Sequence, residues 1–209
     1  MTYTRMIGAG CGAVIHLIVR GLALSRIHPN VLTFMGLLIN GLAAWLLASG
    51  SFVWSGVVMI GAGLFDMVDG RVARETGQVT RFGAFFDSVM DRYSDLILLM
   101  GLLVYYASIN RFFYIVLTAV VMLGSVMVSY SRARAECLIP KCKVGFFERP
   151  ERSVLMIIGA LFGCMAQVLW VMAVGTNITV AHRMLYTWQE TRRLEQAQMH
   201  AVPSEPTQR

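Results

Sequence analysis

Long apolar stretches separated by short polar connections make up most of the chain between residues 31 and 188. A helix needs about 20 predominantly apolar residues to cross the hydrocarbon core of a membrane. The pattern therefore predicts six transmembrane helices, the fifth of which is short unless it begins within the polar segment before it. They cover residues 31–49, 53–70, 84–108, 112–132, 153–164 and 166–188.

The two ends of the chain are expected to lie outside this bundle. In residues 1–28, apolar side chains can face the acyl region while Arg20 and Arg26 stay among the headgroups, which predicts an interfacial amphipathic helix. A secretory signal is the alternative reading of this segment. Residues 195–209 contain two prolines and no apolar period, so we expect a disordered tail. One membrane domain, 1–194, would then hold the six-helix bundle at 29–188.

Composition supports an all-α integral membrane protein. Apolar residues make up 56% of the chain and charged residues 14%, and the mean hydropathy is +0.62. Arg111 is the only Lys or Arg in the short connections on one side of the predicted bundle. The other basic residues fall toward the opposite side, which the positive-inside rule assigns to the cytoplasm. We therefore expect both termini and the polar loops to face the cytoplasm of a cell membrane, and we interpret the net charge of +6 as a membrane-face property rather than a nucleic-acid signal.

Four carboxylates lie where apolar segments make charge costly. Asp66 and Asp69 are three residues apart, and Asp87 and Asp91 are four apart, so each pair shares one helix face. Buried carboxylates need a positive partner, and all-oxygen ligands favour Mg²⁺ or Mn²⁺ over Zn²⁺. We therefore predict a site for two such cations, in which paired metals stabilise phosphoryl displacement. Two solvated helix ends with no shared role are the alternative.

The same residues resemble a family signature. The run reads Asp66-x2-Asp69-Gly70-x2-Ala73-Arg74-x8-Gly83-x3-Asp87-x3-Asp91, and it fills every fixed position of the signature of the CDP-alcohol phosphotransferases. The resemblance implies a membrane enzyme that makes phospholipid from a CDP-linked donor. It also implies that Asp66, Asp69 and Asp87 are metal ligands, that Asp91 is a ligand that also takes the proton of the incoming hydroxyl, and that the enzyme is a homodimer.

Other signature positions indicate how the donor is held. Gly70 lets a ligand come close to the backbone, and the Arg74 guanidinium can bind a diphosphate through paired hydrogen bonds. A packing or helix-breaking glycine and a snorkelling arginine are the alternatives. By resemblance, further donor contacts come from a segment before the first span and from Thr80, although capping would also explain these residue types. The full predicted donor set is Pro29, Asn30, Val31, Leu32, Asp66, Asp69, Gly70, Ala73, Arg74, Thr80 and Gly83.

A second, basic cluster flanks the loop between the fourth and fifth spans. Arginine is well suited to clamping phosphate, whereas positive-inside topology alone would also place basic residues here. The residues around the cluster resemble the bacterial phosphatidylinositol phosphate synthases, in which such positions hold the phosphate of inositol phosphate, although the position of Arg132 is a lysine there. The predicted acceptor-phosphate set is Arg132, Arg134, Arg149 and Arg152. Asp95, one turn beyond Asp91, is left as either a supporting or a purely structural residue.

The predicted activity is transfer of a phosphatidyl group from CDP-diacylglycerol to a phosphorylated polyol, with inositol phosphate as the favoured acceptor and CMP as the leaving group. Phosphatidylglycerophosphate synthase is the alternative enzyme. Many members of that group read Asp-Pro-x-x-Asp-Lys where this chain has Asp87-Ser88-Val89-Met90-Asp91-Arg92. A divalent-cation transporter is a remote alternative, because it would need polar groups along the whole path across the membrane.

Overall fold

Six α-helices make up the described part of the chain in this computed structural model. The structure describes residues 29–75 and 80–201, with side chains described for 30–66 and 80–197. Within these ranges there is no strand, and the prediction of an all-α integral membrane fold is confirmed. The predicted interfacial helix over 1–28 lies outside the described residues. The helices are α1 (Pro29–Ala48), α2 (Phe52–Glu75), α3 (Arg81–Ser108), α4 (Phe112–Ala135), α5 (Arg149–Leu161) and α6 (Met165–Ala201).

Three of these helices are long and apolar enough to cross a membrane by length and composition. The qualifying segments are Asn30–Ala48, Phe112–Ala135 and Met165–Ala197, and α2 contributes the shorter apolar segment Phe52–Asp66. Large apolar side chains cover the outside of the bundle. Trp45 and Trp54, for example, are 65% and 68% exposed. Such a surface suits a lipid environment, since exposed apolar area of this extent is unusual in a soluble monomer.

Tight turns join the helices at the end of the bundle that is remote from the carboxylates. Gly50 and Gly163 adopt positive φ values of 80° and 66° in the turns after α1 and α5, and Asn110 adopts 54° in the turn after α3. These are residue types that tolerate the left-handed region. The turns let consecutive helices pack side by side with little intervening chain.

The core lies between these helices, and close backbone approach brings α1 against α3. A Cβ added to Gly101 of α3 would collide with the carbonyl oxygen of Ala44 in α1. Ser55 of α2 donates a hydrogen bond to the carbonyl oxygen of Ala43 at 2.8 Å. Leu102 is fully buried within this core. The resulting α1–α2–α3 unit holds the two carboxylate-bearing helices in fixed register, and α5 packs against α2.

Every helix is longer than the span predicted for it, and two of these differences change the interpretation of the sequence. Helix α2 continues through Gly70 to Glu75, so Gly70 does not end the helix and Asp66 and Asp69 lie inside it. The prediction of disorder from residue 195 is wrong for 195–201, because α6 extends to Ala201. This stretch is rich in strong helix formers, and the first proline after it is Pro203. Residues 202–209 lie outside the described part of the chain.

Candidate active site

The guanidinium of Arg149 lies among the carboxylates of α2 and α3. Arg149, the first residue of α5, places Nη2 2.6 Å from Oδ2 of Asp66. Its Nη1 lies 2.9 Å from Oδ1 of Asp91, and its Nε lies 3.7 Å from Oδ1 of Asp95. Carboxylates on two different helices are therefore brought to one point. The helix spacing of the sequence predicted that Asp66 and Asp91 converge, and it did not predict the arginine between them.

Of the remaining predicted metal ligands, Asp87 has a described side chain beside this point. Asp87 is partly buried on α3 one turn before Asp91, and its carboxylate interacts electrostatically with Asp66 and Arg149. Asp69 lies on α2 three residues after Asp66, but its side chain is outside the described part of the chain. Among the described side chains, no three of the His, Cys, Asp and Glu type are grouped closely enough to hold an ion. The residues present nevertheless fit a hard cation. The converging groups are carboxylates, whose oxygens such ions prefer, and they already surround the positive charge of Arg149.

Helix α1 runs directly against one of these carboxylates. A Cβ added to Gly36 would lie 2.9 Å from Oδ1 of Asp66. The absence of a side chain at this position therefore gives the Asp66 carboxylate its room. Gly36 could not be predicted as a site residue from the sequence, because nothing in the apolar pattern of α1 distinguishes it from Gly41.

The charge on Arg149 is maintained by its surroundings. Arg149 lies before the predicted fifth span. Burial alone would lower the pKa of Arg149, but the carboxylates of Asp91, Asp66 and Asp95 raise it above its ordinary value. The guanidinium therefore stays protonated and contributes a fixed positive charge to the site.

A cavity of about 380 Å³ opens beside the carboxylates. Its lining includes Asp91 and Asp95 together with Arg132, Arg149 and Arg152. The proposed proton acceptor and three of the four predicted phosphate-binding arginines thus share one cavity. The fourth, Arg134, is exposed and does not line it, so its role stays a prediction.

Glu148 organises the basic side of this cavity. Its Oε1 accepts a hydrogen bond from Nη1 of Arg132 at 3.0 Å and another from Nη2 of Arg183 at 3.0 Å. Arg183 is almost fully buried, and it also donates to the carbonyl oxygens of Val144 at 2.8 Å and Val128 at 2.5 Å. Arg183 was not among the residues predicted for the site. An arginine inside a predicted span is itself a signal, because a charge there is retained only with buried partners.

Arg152 and Asp95 form a buried ion pair, and both residues line the cavity. Nη2 of Arg152 lies 2.5 Å from Oδ2 of Asp95, and the two side chains are only 4% and 13% exposed. Nη1 of Arg152 also donates to the carbonyl oxygen of Phe147 at 3.4 Å. The pair joins α5 to α3, so Asp95 has a structural role in which Arg152 is its partner.

Apart from Asp66, the donor residues with described side chains lie at the start of α1 and of α3. Thr80 caps α3 by accepting a hydrogen bond from the Gly83 amide at 2.9 Å, so the capping alternative for Thr80 applies. A Cβ added to Gly83 would lie 3.0 Å from Oγ1 of Thr80 and 3.4 Å from Oδ1 of Asn30, which brings these three positions together. Val31 is exposed, whereas Leu32 is 3% exposed and packs inside.

Four further predicted donor residues lie on α1 and α2. Helix α2 contains Gly70, Ala73 and Arg74, and α1 begins at Pro29. The side chains at these positions lie outside the described part of the chain. Donor binding by these four residues therefore stays a prediction.

The helical membrane fold and its carboxylate-lined site define a class of membrane transferase. A family model described as CDP-alcohol phosphatidyltransferase matches residues 26–185. The match covers both carboxylate helices and the arginine-bearing α5. The chain belongs to the CDP-alcohol phosphatidyltransferase family, and it is an enzyme of phospholipid biosynthesis.

Relatives with more specific descriptions share most of the chain. An archaetidylinositol phosphate synthase of Methanothermobacter thermautotrophicus is 36% identical over 167 residues, which are 77% of this chain and 83% of the relative. The crystal structure of the phosphatidylinositol phosphate synthase of Mycobacterium tuberculosis with CDP-DAG bound has a TM-score of 0.78 and 31% identity, and it covers 84% of this chain and 94% of the other. The same enzyme with manganese and citrate has a TM-score of 0.77 and 33% identity, with 83% and 88% of the two chains covered.

Proposed function

We propose that this enzyme transfers the phosphatidyl group of CDP-diacylglycerol to a hydroxyl of inositol phosphate, forming phosphatidylinositol phosphate and CMP. The observation that carries the proposal is the shared cavity, which is lined by Asp91 and by a group of arginines. The relatives named above support the donor, because one was solved with CDP-DAG bound. They also support an inositol phosphate acceptor, since both enzymes are named for inositol phosphate lipids.

The residues of the chain suit each part of this reaction. A carboxylate that accepts a proton must lie within hydrogen-bond reach of the attacking hydroxyl, and Asp91 lines the cavity in which the acceptor would bind. The acceptor phosphate would be held by Arg132, Arg149 and Arg152, since guanidinium groups bind phosphate through paired hydrogen bonds. The hydroxyl oxygen would then attack the β-phosphorus of the donor as CMP leaves.

Two divalent cations, Mg²⁺ or Mn²⁺, are proposed to be held by Asp66, Asp69, Asp87 and Asp91. When bound, such ions neutralise the donor diphosphate and stabilise the charge that develops as it is displaced. The manganese-bound structure of the mycobacterial relative supports a divalent ion in this family. Arg74 is proposed to bind the donor diphosphate as well, from its position on α2.

We further propose that the active site faces the cytoplasm of the cell membrane and that the enzyme works as a homodimer. The concentration of basic residues at the carboxylate end supports the orientation. The dimer rests on the family resemblance and is testable by native mass spectrometry in detergent.

Phosphatidylglycerophosphate synthesis is the second candidate, because glycerol 3-phosphate would satisfy the same arginines. The segment between Asp87 and Arg92 favours the inositol phosphate enzyme, as it lacks the Asp-Pro-x-x-Asp-Lys pattern common in the alternative group. A cation transporter is disfavoured by family membership. The sequence also contains no Asp or Glu between Asp95 and Glu136 or between Arg152 and Glu190 to extend a polar path.

The test is a comparison of acceptors with purified enzyme in nanodiscs that contain CDP-diacylglycerol. Initial rates of CMP release are measured with inositol phosphate, glycerol 3-phosphate and free inositol. We expect inositol phosphate to be preferred and free inositol to be poor, because free inositol leaves the arginines unpaired. Equal use of free inositol would contradict a phosphate clamp, and preference for glycerol 3-phosphate would favour the second candidate.

A further inference from the structure

Arg149 lies at the boundary between two sites that the proposed function keeps separate. Its terminal nitrogens bond Oδ2 of Asp66 and Oδ1 of Asp91, which are proposed metal-ligating carboxylates. The same side chain lines the cavity proposed for the acceptor phosphate. One guanidinium therefore has two possible sets of anionic partners.

The carboxylate oxygens bonded to Arg149 cannot serve two cations in full at once. A divalent ion at Asp66 and Asp91 would take oxygens that now form ion pairs with Arg149. It would also lie close to a guanidinium of like charge, in surroundings where burial strengthens repulsion. Arg149 and the cation thus compete for the same oxygens.

Asp95 can hold Arg149 in the site when a cation takes the oxygens of Asp66 and Asp91. Its Oδ1 lies 3.7 Å from Nε of Arg149, and it is not in the proposed ligand set. Asp95 is itself fixed by Arg152 at 2.5 Å. The Nε end of Arg149 can therefore stay near Asp95 when its terminal nitrogens change partners.

We propose that Arg149 links metal binding to acceptor binding. It is a counter-ion of Asp66 and Asp91, and a bound divalent cation displaces its terminal nitrogens toward the acceptor phosphate. The identity of the acceptor in this proposal rests on the proposed function, whereas the competition between Arg149 and the cation does not. Because binding free energies are reciprocal, the cation should strengthen acceptor binding by the factor by which the acceptor strengthens cation binding. The competing interpretation is a permanent ion pair that only fastens α5 to α2 and α3.

The first experiment measures Mn²⁺ affinity without any substrate, from the electron paramagnetic resonance signal of free Mn²⁺ in a titration of enzyme in nanodiscs. Arg149→Gln should bind Mn²⁺ about 10-fold more tightly than wild type, a typical size for such coupling. Arg132→Gln is the matched control, since it removes an equal charge from the same cavity but from a side chain bonded to Glu148 and Glu136. Equal affinities for the two variants, or weaker binding by Arg149→Gln, would overturn the competition.

A second variant covers the case in which Arg149→Gln folds poorly. Arg149→Lys keeps the positive charge, but an ammonium cannot bridge two carboxylates as a planar guanidinium does. We expect it to bind Mn²⁺ more tightly than wild type. Wild-type affinity in this variant would overturn the proposal.

The second experiment measures the link itself, using inositol phosphate and, separately, inorganic phosphate as titrants in calorimetry. Wild type should bind the phosphate compound about 10-fold more tightly with saturating Mn²⁺ than with chelator, and Arg149→Gln should lose most of this difference. An unchanged difference in Arg149→Gln would overturn the link. If inositol phosphate is the wrong acceptor, wild type will fail to turn it over while the Mn²⁺ comparison, which contains no acceptor, still gives its result.

Discussion

The buried pair between Arg152 and Asp95 should be a main support of the site, and Arg152→Met tests this. The two side chains are 4% and 13% exposed and meet at 2.5 Å. Removing Arg152 leaves the buried Asp95 carboxylate with only the looser contact to Nε of Arg149 at 3.7 Å. Breaking a buried pair in this way costs about 3–5 kcal/mol. At about 2–4 °C per kcal/mol for a chain of this size, the melting temperature should fall by about 6–20 °C.

Thermal unfolding in detergent, followed by intrinsic tryptophan fluorescence, provides the assay. The matched control is Arg193→Met, which breaks the exposed pair with Glu190 at 3.1 Å. Because Arg193 is 78% exposed, that loss should be less than about 1 kcal/mol. The double variant Asp95→Leu with Arg152→Met should recover much of the stability, since an apolar replacement of both partners leaves no buried charge.

The same set of variants separates the structural role of Arg152 from phosphate binding. If Arg152 also contacts the acceptor phosphate, the restabilised double variant should still show a higher acceptor KM, by on the order of 30- to 150-fold for a loss of about 2–3 kcal/mol. Its donor KM should change little. The reasoning would be refuted if Arg152→Met were no less stable than Arg193→Met, or if the double variant were no more stable than the single one.

Two further predictions concern the donor and metal sides of the site. Gly36→Ala places a Cβ 2.9 Å from Oδ1 of Asp66, so Mn²⁺ affinity should fall. Gly41→Ala is the control and should bind Mn²⁺ as wild type does, because a Cβ there meets nothing within 4 Å. Equal affinities of the two variants would contradict the crowding of Asp66. Arg74→Ala should weaken CDP-diacylglycerol binding in calorimetry and leave acceptor affinity mostly intact, because Arg74 is proposed to hold the donor diphosphate; unchanged donor affinity would make it a topological arginine only.

The helices and their order could be predicted because membrane burial imposes a strong apolar pattern over each segment. The convergence of Asp66 with Asp91 could be predicted because each belongs to a pair of aspartates that lie about one turn apart on the same helix. The end of α6 was predicted wrongly, because a polar sequence without an apolar period can still form helix when its residues have high helix propensity.

The position of Arg149 could not be predicted, because it depends on how α5 packs against α2 and α3. The sequence placed Arg149 with Arg132, Arg134 and Arg152 as one phosphate clamp. In the structure these four arginines have different partners: Arg149 bonds proposed metal-ligating carboxylates, Arg152 bonds Asp95, Arg132 bonds Glu148, and Arg134 is exposed. Residues of the same type in one part of the sequence are distinguished in this way only by their tertiary contacts.

The central claim is that the carboxylates of α2 and α3 carry out metal-dependent phosphatidyl transfer to inositol phosphate. The most direct measurement is the lipid product, identified by mass spectrometry after purified enzyme is incubated with CDP-diacylglycerol and inositol phosphate. We predict phosphatidylinositol phosphate in amounts equal to the CMP released with Mg²⁺ or Mn²⁺ present, and none with chelator or with Asp91→Asn. Full product formation in chelator with no residual bound metal, or by Asp91→Asn, would contradict the account.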